Sequence, residues 1–240
     1  MKEKFVPVFN EEKPRKIIGV LGGLGPETTA VFYQDLVKAA TEKERPGILI
    51  WSLPLDVAKE AEYISKGKHT KYYFRQLRTG AHRLIIGGAD MIVIPCNTVH
   101  EFHPALSESV SVPVSNLIKI AAQEVVRRRW RKVLLLATSR TLQTRLYQAA
   151  LQKSGIEISV PGPDEQKKLD ALIQQALKDG GTEEDVAFLR SLQARASADG
   201  VLLGCTDLQL LCPPSETVID SMRELVVYTA RLILASPSGG

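Results

Sequence analysis

One pattern occurs twice along this chain, and it constrains the fold more than any other feature of the sequence. The first copy starts with Ala-Asp at Ala89, continues through four apolar residues and a proline, and reaches Cys96. The second copy starts with Ala-Asp at Ala198 and reaches Cys205 at the same spacing. Apolar runs without polar alternation are typical of parallel strands that are buried on both faces. The chain therefore predicts two similar halves, each with a cysteine beyond the carboxyl end of a buried strand.

The rest of the chain repeats the order strand, helix, strand, helix, strand around this pattern, with Lys16 and Lys132 at equivalent strand starts. Apolar periodicity and turn residues delimit the elements. Further strands are predicted at residues 16–21, 48–53, 132–137, 156–160 and 218–219. Helices are predicted at residues 30–41, 56–65, 70–87, 104–109, 117–129, 164–178, 183–198 and 221–234.

The predicted fold class is α/β, with two pseudo-symmetric parallel-sheet domains, flanking helices and a ligand site in the cleft between them. A chain of 240 residues is long enough for two such domains. We place the first domain at residues 16–112 plus 215–236, because the C-terminal helix can pack back on the first half. The second domain is placed at residues 113–214, and residues 1–15 are expected to form a polar leader.

Composition and charge argue against several classes of partner. The net charge of +4 does not indicate nucleic acid or a membrane surface, and the basic run 127–132 fits a solvated helix end. No apolar run approaches the roughly 18 residues of a membrane span, and no signal-peptide core is expected at the start. The three cysteines lack the spacing of a metal site. We expect a cytoplasmic protein with reduced thiols and without a metal.

A glycine-rich turn follows the first predicted strand and precedes a helix that starts at Pro26. Free backbone N–H groups at such a turn bind anions. The spacing of the glycines differs from the dinucleotide fingerprint, because Pro26 interrupts it. We interpret the turn as a site for a small carboxylate or phosphate, with a nicotinamide dinucleotide as the weaker alternative.

Two thiols at matched strand ends have a specific chemical use. Ligands of open α/β sheets bind beyond the carboxyl ends of the strands, so Cys96 and Cys205 are expected to face one cleft. A thiolate on one side of a carbon can remove its proton while a thiol on the other side supplies one, which inverts the stereocentre. The pKa of a thiol can be tuned towards neutrality. Asn97, Thr98 and Thr206 are candidate donors to the substrate's carboxylate.

Three motifs carry a resemblance to a known family. The segments 22–29 (GGLGPETT), 95–100 (PCNTVH) and 203–207 (LGCTD) resemble the signatures of aspartate racemases. These enzymes belong to the aspartate/glutamate racemase superfamily, which works without pyridoxal phosphate. The resemblance covers residues 16 to 234 and implies two pseudo-symmetric domains, a homodimer, no cofactor, and an amino acid as the small-molecule substrate. It also implies that Cys96 and Cys205 are the two bases, and it assigns substrate contacts to Asn97, Thr98, Thr138, Thr141 and Thr206, with Lys178 near the site.

The chain departs from the family pattern after the second predicted strand. The family commonly has Pro-Asp-Arg-Thr there, whose arginine binds a substrate carboxylate, whereas residues 53–59 read LPLDVAK. Lys59 is a substitute without the bidentate geometry of arginine. Arg140 stands where a glycine is frequent, and it is a second candidate for the missing cation. Asp207 stands where glutamate is more usual.

The leading hypothesis is an isomerase, namely a cofactor-independent amino-acid racemase that acts on aspartate or glutamate. One alternative is another enzyme of the superfamily, such as a hydantoin racemase, a maleate isomerase or an arylmalonate decarboxylase. A second is a non-catalytic protein that binds an amino acid or a carboxylate, and a third is thiol redox chemistry through a Cys96–Cys205 disulfide. No role is assigned to Cys212, and His100 and His103 are not expected to be catalytic.

Overall fold

The computed structural model describes residues 16–41, 45–179, 181–212 and 215–235. The strands in these ranges are β1 Ile18–Gly22, β2 Ile48–Ser52, β3 Met91–Val93, β4 Lys132–Leu136, β5 Glu157–Ser159, β6 Gly200–Leu203 and β7 Val218–Asp220. The α-helices are α1 Pro26–Ala40, α2 Val57–Lys66, α3 Thr70–Ile86, α4 His103–Glu108, α5 Leu117–Arg127, α6 Ser139–Gln143, α7 Leu146–Leu151, α8 Pro163–Asp179, α9 Glu183–Arg195 and α10 Ser221–Leu234.

The strands form two parallel sheets with matching topology. The first sheet has the order β2-β1-β3, and the second has the order β5-β4-β6-β7. Val114 forms a parallel bridge with Ile92 of β3, which is the place that β7 takes beside β6. Every residue of β1, β3 and β6 is buried, as continuous apolar runs predict. The predicted α/β fold with two pseudo-symmetric parallel sheets is confirmed.

Helix α10 packs on the first sheet although it follows the second sheet in the chain, and α5 packs on the second sheet although it precedes the strands of that sheet. Met222, Leu225 and Ile233 of α10 lie in one core cluster with β1 and α1. Residues of α5 lie in another cluster with β4, α7 and β6, namely Ile118, Ala121, Ala122 and Val125. The expected packing of α10 on the first half is therefore present. Helix α5 lies within residues 113–214, the range that the sequence assigns to the second domain.

The domain boundaries 16–112 plus 215–236 and 113–214 stay a prediction, with one correction. Val218–Asp220 pairs with β6 and so belongs to the second sheet, not to the first domain. A local strand pattern cannot reveal this, because β7 and α10 are adjacent in the chain but pack on different sheets. The predicted leader, residues 1–15, lies outside the described residues.

A short 3₁₀ helix follows each repeated cysteine. Thr98–Phe102 follows Cys96, and Thr206–Leu210 follows Cys205. The sequence does not predict these turns, although they extend the repeat. The glycine-rich turn leads into α1 as predicted, and Gly25 adopts the left-handed region at φ 95°. Within the described ranges, no helix is long and apolar enough to cross a membrane.

Candidate active site

A cavity of about 320 Å³ lies between the two halves, and both repeated cysteines line it. The first half contributes the glycine-rich turn, one face of α2, Tyr73 and the segment from Cys96 to Val99. The second half contributes Thr138, two residues of α8 and the segment from Cys205 to Asp207. The parallel sheets explain this arrangement, since each cysteine follows the carboxyl end of a strand. The expected cleft between the halves is thus present.

Burial favours the protonated form of both thiols. Burial raises the pKa of Cys96 to about 12, and the charge of Asp207 adds to this shift. Backbone hydrogen bonding from Thr98 and Val99 acts in the opposite direction on the same sulfur. Burial likewise raises the pKa of Cys205 well above its usual value, and the charge of Asp207 again adds to the shift. The N–H groups of the adjoining 3₁₀ turn therefore lower the pKa of each thiol, but burial raises the pKa by more.

Asp207 connects the glycine-rich turn with the second cysteine. The hydroxyl of Thr28 donates to Oδ1 of Asp207, and the thiol of Cys205 lies 3.5 Å from Oδ2. A Cβ on Gly25 would lie 3.2 Å from Oδ1, so a glycine in the left-handed region leaves room for the carboxylate. Burial raises the pKa of Asp207 above its usual value. The carboxylate thus fixes the thiol hydrogen of Cys205 in one direction.

Asn97 lines the cavity in a fixed orientation. Its Oδ1 accepts a hydrogen bond from Tyr147 at 2.6 Å, and its Nδ2 donates to Ser221 at 2.9 Å. Tyr147 lies on α7 and Ser221 begins α10, so elements from both halves hold this amide. Because an amide nitrogen carries two hydrogens, one N–H of Asn97 remains for a ligand.

Three threonines from the two halves form a hydroxyl cluster beside the cavity. Oγ1 of Thr98 lies 3.2 Å from Oγ1 of Thr138, and Thr141 lies within 3.3 Å of both. Thr98 and Thr138 line the cavity, whereas Thr141 is fully buried behind them. Thr206 also lines the cavity. The structure therefore brings together the predicted site residues Cys96, Cys205, Asn97, Thr98, Thr138 and Thr206, with Thr141 in support.

The structure does not bring the two candidate cations to the cavity wall. Nζ of Lys59 lies 3.4 Å from Asp56 and 4.8 Å from the ring centroid of Tyr72, and the side chain is half-buried. Sequence reasoning could not anticipate this, because Lys59 and the cavity-facing residues share one short helix and differ only in their direction around it. The side chain of Lys178 lies outside the described residues.

Arg140 forms an ion pair with Glu101 that joins the two halves. Its Nε and Nη2 donate to the two carboxylate oxygens at 2.9 and 2.5 Å, and Tyr63 donates to the same carboxylate at 2.5 Å. Both members of the pair are mostly buried. Gly67 makes room for the guanidinium, since a Cβ there would lie 2.4 Å from Nη1 of Arg140. Arg140 is therefore bound by a protein carboxylate instead of pointing into the cavity.

Among the described residues, the charged side chains that line the cavity are all acidic. They are Glu27, Glu60 and Asp207, and no lysine, arginine or histidine of the described residues joins them. Burial raises the pKa of Glu60, and the charge of Asp207 raises it further. Sequence reasoning missed Glu60, although Val57, Glu60 and Ile64 recur at helical spacing and so predict one face of α2.

His100 has a structural role next to Cys96. Its Nδ1 lies 2.7 Å from the carbonyl oxygen of Cys96, and Leu117 donates its backbone N–H to Nε2 at 3.0 Å. Since Nε2 accepts, Nδ1 carries the hydrogen and donates it to the carbonyl. Burial lowers the pKa of His100 to about 4, so the ring is neutral. This ring ties the chain at Cys96 to the start of α5.

Comparison with known proteins identifies the family. A family model described as Asp/Glu/Hydantoin racemase matches residues 21–229. The chain belongs to this family. Its membership confirms the predicted superfamily and the predicted class of enzyme, an amino-acid racemase. Among the described residues of this racemase, no group of three or more His, Cys, Asp or Glu side chains is placed to hold a metal ion.

Relatives with a described activity match along most of this racemase. The broad specificity amino-acid racemase RacX of Bacillus subtilis is 26% identical over 234 residues, which covers 92% of this chain and 100% of RacX. The crystal structure of an aspartate racemase homologue from Pyrococcus horikoshii is 28% identical with a TM-score of 0.71, covering 92% of this chain and 99% of that one. Picrophilus torridus aspartate racemase is 22% identical with a TM-score of 0.73, covering 90% and 94%, and this likeness shows the fold alone.

Proposed function

We propose that this racemase inverts the α-carbon of a free amino acid by proton transfer between Cys96 and Cys205. One observation carries the proposal: the two thiols follow equivalent strands of two matching sheets and line one cavity between them. Two opposed acid–base groups are what an inversion through a planar carbanion requires, since one proton leaves as another arrives on the opposite face. RacX, a broad specificity amino-acid racemase, supports an amino acid as the substrate.

The reaction begins with the thiolate form of one cysteine. That thiolate takes the proton from Cα and becomes a thiol, and the electron pair of the C–H bond remains on the substrate as a carbanion. The second thiol then protonates the opposite face and becomes a thiolate, so protons and charge balance. The remaining N–H of Asn97 and the hydroxyls of Thr98 and Thr206 can donate to the substrate carboxylate as charge develops on it.

The side chain of the substrate is constrained by the charge of the cavity. The family resemblance predicts aspartate or glutamate, with Lys59 or Arg140 as the cation for the second carboxylate. Both cations are engaged elsewhere, and Glu27, Glu60 and Asp207 line the cavity. A second substrate carboxylate would meet like charges there, which is unfavourable at short range in a buried site. We therefore also propose that the side chain of the substrate is not acidic.

Two alternative enzymes that the sequence suggests are not part of this proposal, because their chemistry does not require two thiols. A maleate isomerase or a decarboxylase of the superfamily does not need a thiol at both strand ends, whereas this chain keeps two. The predicted cytoplasmic location and homodimer belong to the proposal as well, because they rest on cysteine usage and on the family resemblance. Sedimentation at micromolar concentration would measure the oligomeric state.

The test of the proposed function is deuterium exchange at Cα. Each of a panel of enantiopure amino acids is incubated with the protein in D₂O, followed by proton NMR and chiral chromatography. We expect deuterium at Cα together with appearance of the other enantiomer for neutral or basic amino acids, and little of either for aspartate. Binding without exchange for every member of the panel would instead support a non-catalytic amino-acid-binding protein.

We expect kcat/KM to rise with pH. The pKa of Cys96 lies at about 12, so below that pH its thiolate is a minority form in the free enzyme. The thiolate fraction increases about tenfold for each pH unit in this regime. Between about pH 6.5 and about pH 8.5 the rate should therefore follow this increase, measured as polarimetric racemisation at low substrate concentration. A profile that is flat over this range, with the fold unchanged by circular dichroism, would show that the thiolate is already formed.

A further inference from the structure

Tyr73 lines the candidate active site and has an unpaired, buried hydroxyl. The residue is 1% exposed and lines the cavity, and its Oη has no hydrogen-bond partner among the described residues. Its ring is held by stacking on Tyr63 at a centroid distance of 4.0 Å. A buried hydroxyl without a partner loses free energy relative to water, and such groups are rare in folded proteins. The orphaned Oη therefore indicates that a ligand atom completes its hydrogen bonding.

Glu60 provides a carboxylate to the same part of the cavity. It lies on the face of α2 that lines the cavity, and its carboxylate forms no hydrogen bond or ion pair with another described residue. Burial raises the pKa of Tyr73, and the charges of Glu60 and Cys96 raise it further, so both groups lie within electrostatic reach of the tyrosine. The neighbouring cation, Lys59, is directed to Asp56 instead.

We propose that Glu60 and Tyr73 form a subsite for a cationic group at the end of the substrate side chain. This inference rests on the proposed function and specifies its substrate class, namely amino acids with a basic side chain. An ammonium or guanidinium group carries several N–H donors and no acceptor. It can donate to both the carboxylate of Glu60 and the hydroxyl oxygen of Tyr73.

The alternatives fit these two groups less well. A neutral apolar side chain would leave the Tyr73 hydroxyl without a partner and Glu60 without a counter-charge in a partly desolvated cavity. An acidic side chain would be repelled by Glu60. Cys96 lines the same cavity as Glu60 and Tyr73, so the subsite and the reacting carbon share one cavity. The side chain thus occupies the part of the cavity formed by α2 and α3.

The experiment compares lysine with norleucine, which has the same carbon chain without the terminal ammonium group. Deuterium exchange at Cα gives kcat/KM for each, in the wild-type protein and in Glu60→Gln and Tyr73→Phe. We expect the lysine-to-norleucine ratio to fall by about 10- to 100-fold in Glu60→Gln, the range for loss of one charge-assisted hydrogen bond. A smaller fall, about 3- to 10-fold, is expected for Tyr73→Phe. Glu108→Gln removes an exposed carboxylate outside the cavity and should leave the ratio unchanged.

Calorimetric binding of lysine and norleucine to Cys96→Ser provides a second readout that needs no turnover. A wild-type preference for glutamate over lysine, or an unchanged lysine-to-norleucine ratio in Glu60→Gln, would overturn the subsite. Exchange of any amino acid in the same experiment would still uphold the proposed function. A different outcome would overturn the proposed racemase function and uphold the subsite. In that case the wild type shows no exchange, calorimetry on Cys96→Ser shows a preference for lysine, and adding Glu60→Gln to Cys96→Ser removes that preference. Equal weak binding of both ligands would overturn the subsite.

Discussion

Cys96→Ser and Cys205→Ser are each expected to abolish racemisation, and each to leave exchange of a different enantiomer. A serine hydroxyl is far too weak an acid to replace a thiol, so the loss should be about 10²- to 10⁴-fold, the usual contribution of a general acid or base. The remaining cysteine still faces one side of Cα. It can remove the proton from the enantiomer that presents it there and return a deuteron to the same face, without inversion.

Both readouts come from one incubation in D₂O, with proton NMR for Cα exchange and chiral chromatography for inversion. Cys212→Ser is the matched control, because this third cysteine is half-buried and lines a different cavity. The control should keep both activities. If both active-site variants exchanged the same enantiomer, or if either racemised its substrate at the wild-type rate, the assignment of one cysteine to each face would be wrong.

Arg140→Met is expected to destabilise the fold more than it weakens substrate binding. It leaves the carboxylate of Glu101, which is mostly buried, without its bidentate partner. Breaking a buried ion pair costs about 3–5 kcal/mol, and we expect about 2–4 kcal/mol because both side chains keep some solvent contact. Urea unfolding measures the free energy, and KM for the substrate should change by less than about threefold.

The double variant Arg140→Met/Glu101→Gln is the control for this prediction. It removes the unpaired charge along with the arginine, so it should recover part of the lost stability. A KM raised by a factor of about 10 or more, with the unfolding free energy unchanged, would show that Arg140 leaves Glu101 and binds the substrate. The same data decide whether the guanidinium compensates for the arginine missing from residues 53–59.

The repeated cysteine pattern could be predicted to form the centre of the site, because strand topology alone determines where those residues lie. Parallel strands bring their carboxyl ends to one edge, so the segments after β3 and β6 meet whatever the flanking side chains are. The glycine-rich turn, Asn97 and the threonines follow from the same geometry.

The partners of long side chains could not be predicted in this way. Arg140 and Glu101 lie 39 residues apart and on different halves, so their pairing depends on how the halves approach each other. Tyr73 has the spacing of a buried helical residue, which is correct, but periodicity does not show that its hydroxyl is left without a partner. The role of Glu60 could not be predicted either, because its face of α2 lines a cavity only when the second half is in place.

The packing of α5 on the second sheet and of α10 on the first affects the order in which the two hydrophobic cores can form during synthesis on the ribosome. The core around β1 stays incomplete until α10, nearly 200 residues later in the sequence, has been synthesised and can pack on it. The second sheet, by contrast, receives α5 before its own strands emerge. The C-terminal half can therefore reach a closed core as soon as β7 is made, while the N-terminal half must wait for the last helix and exposes apolar surface in the meantime.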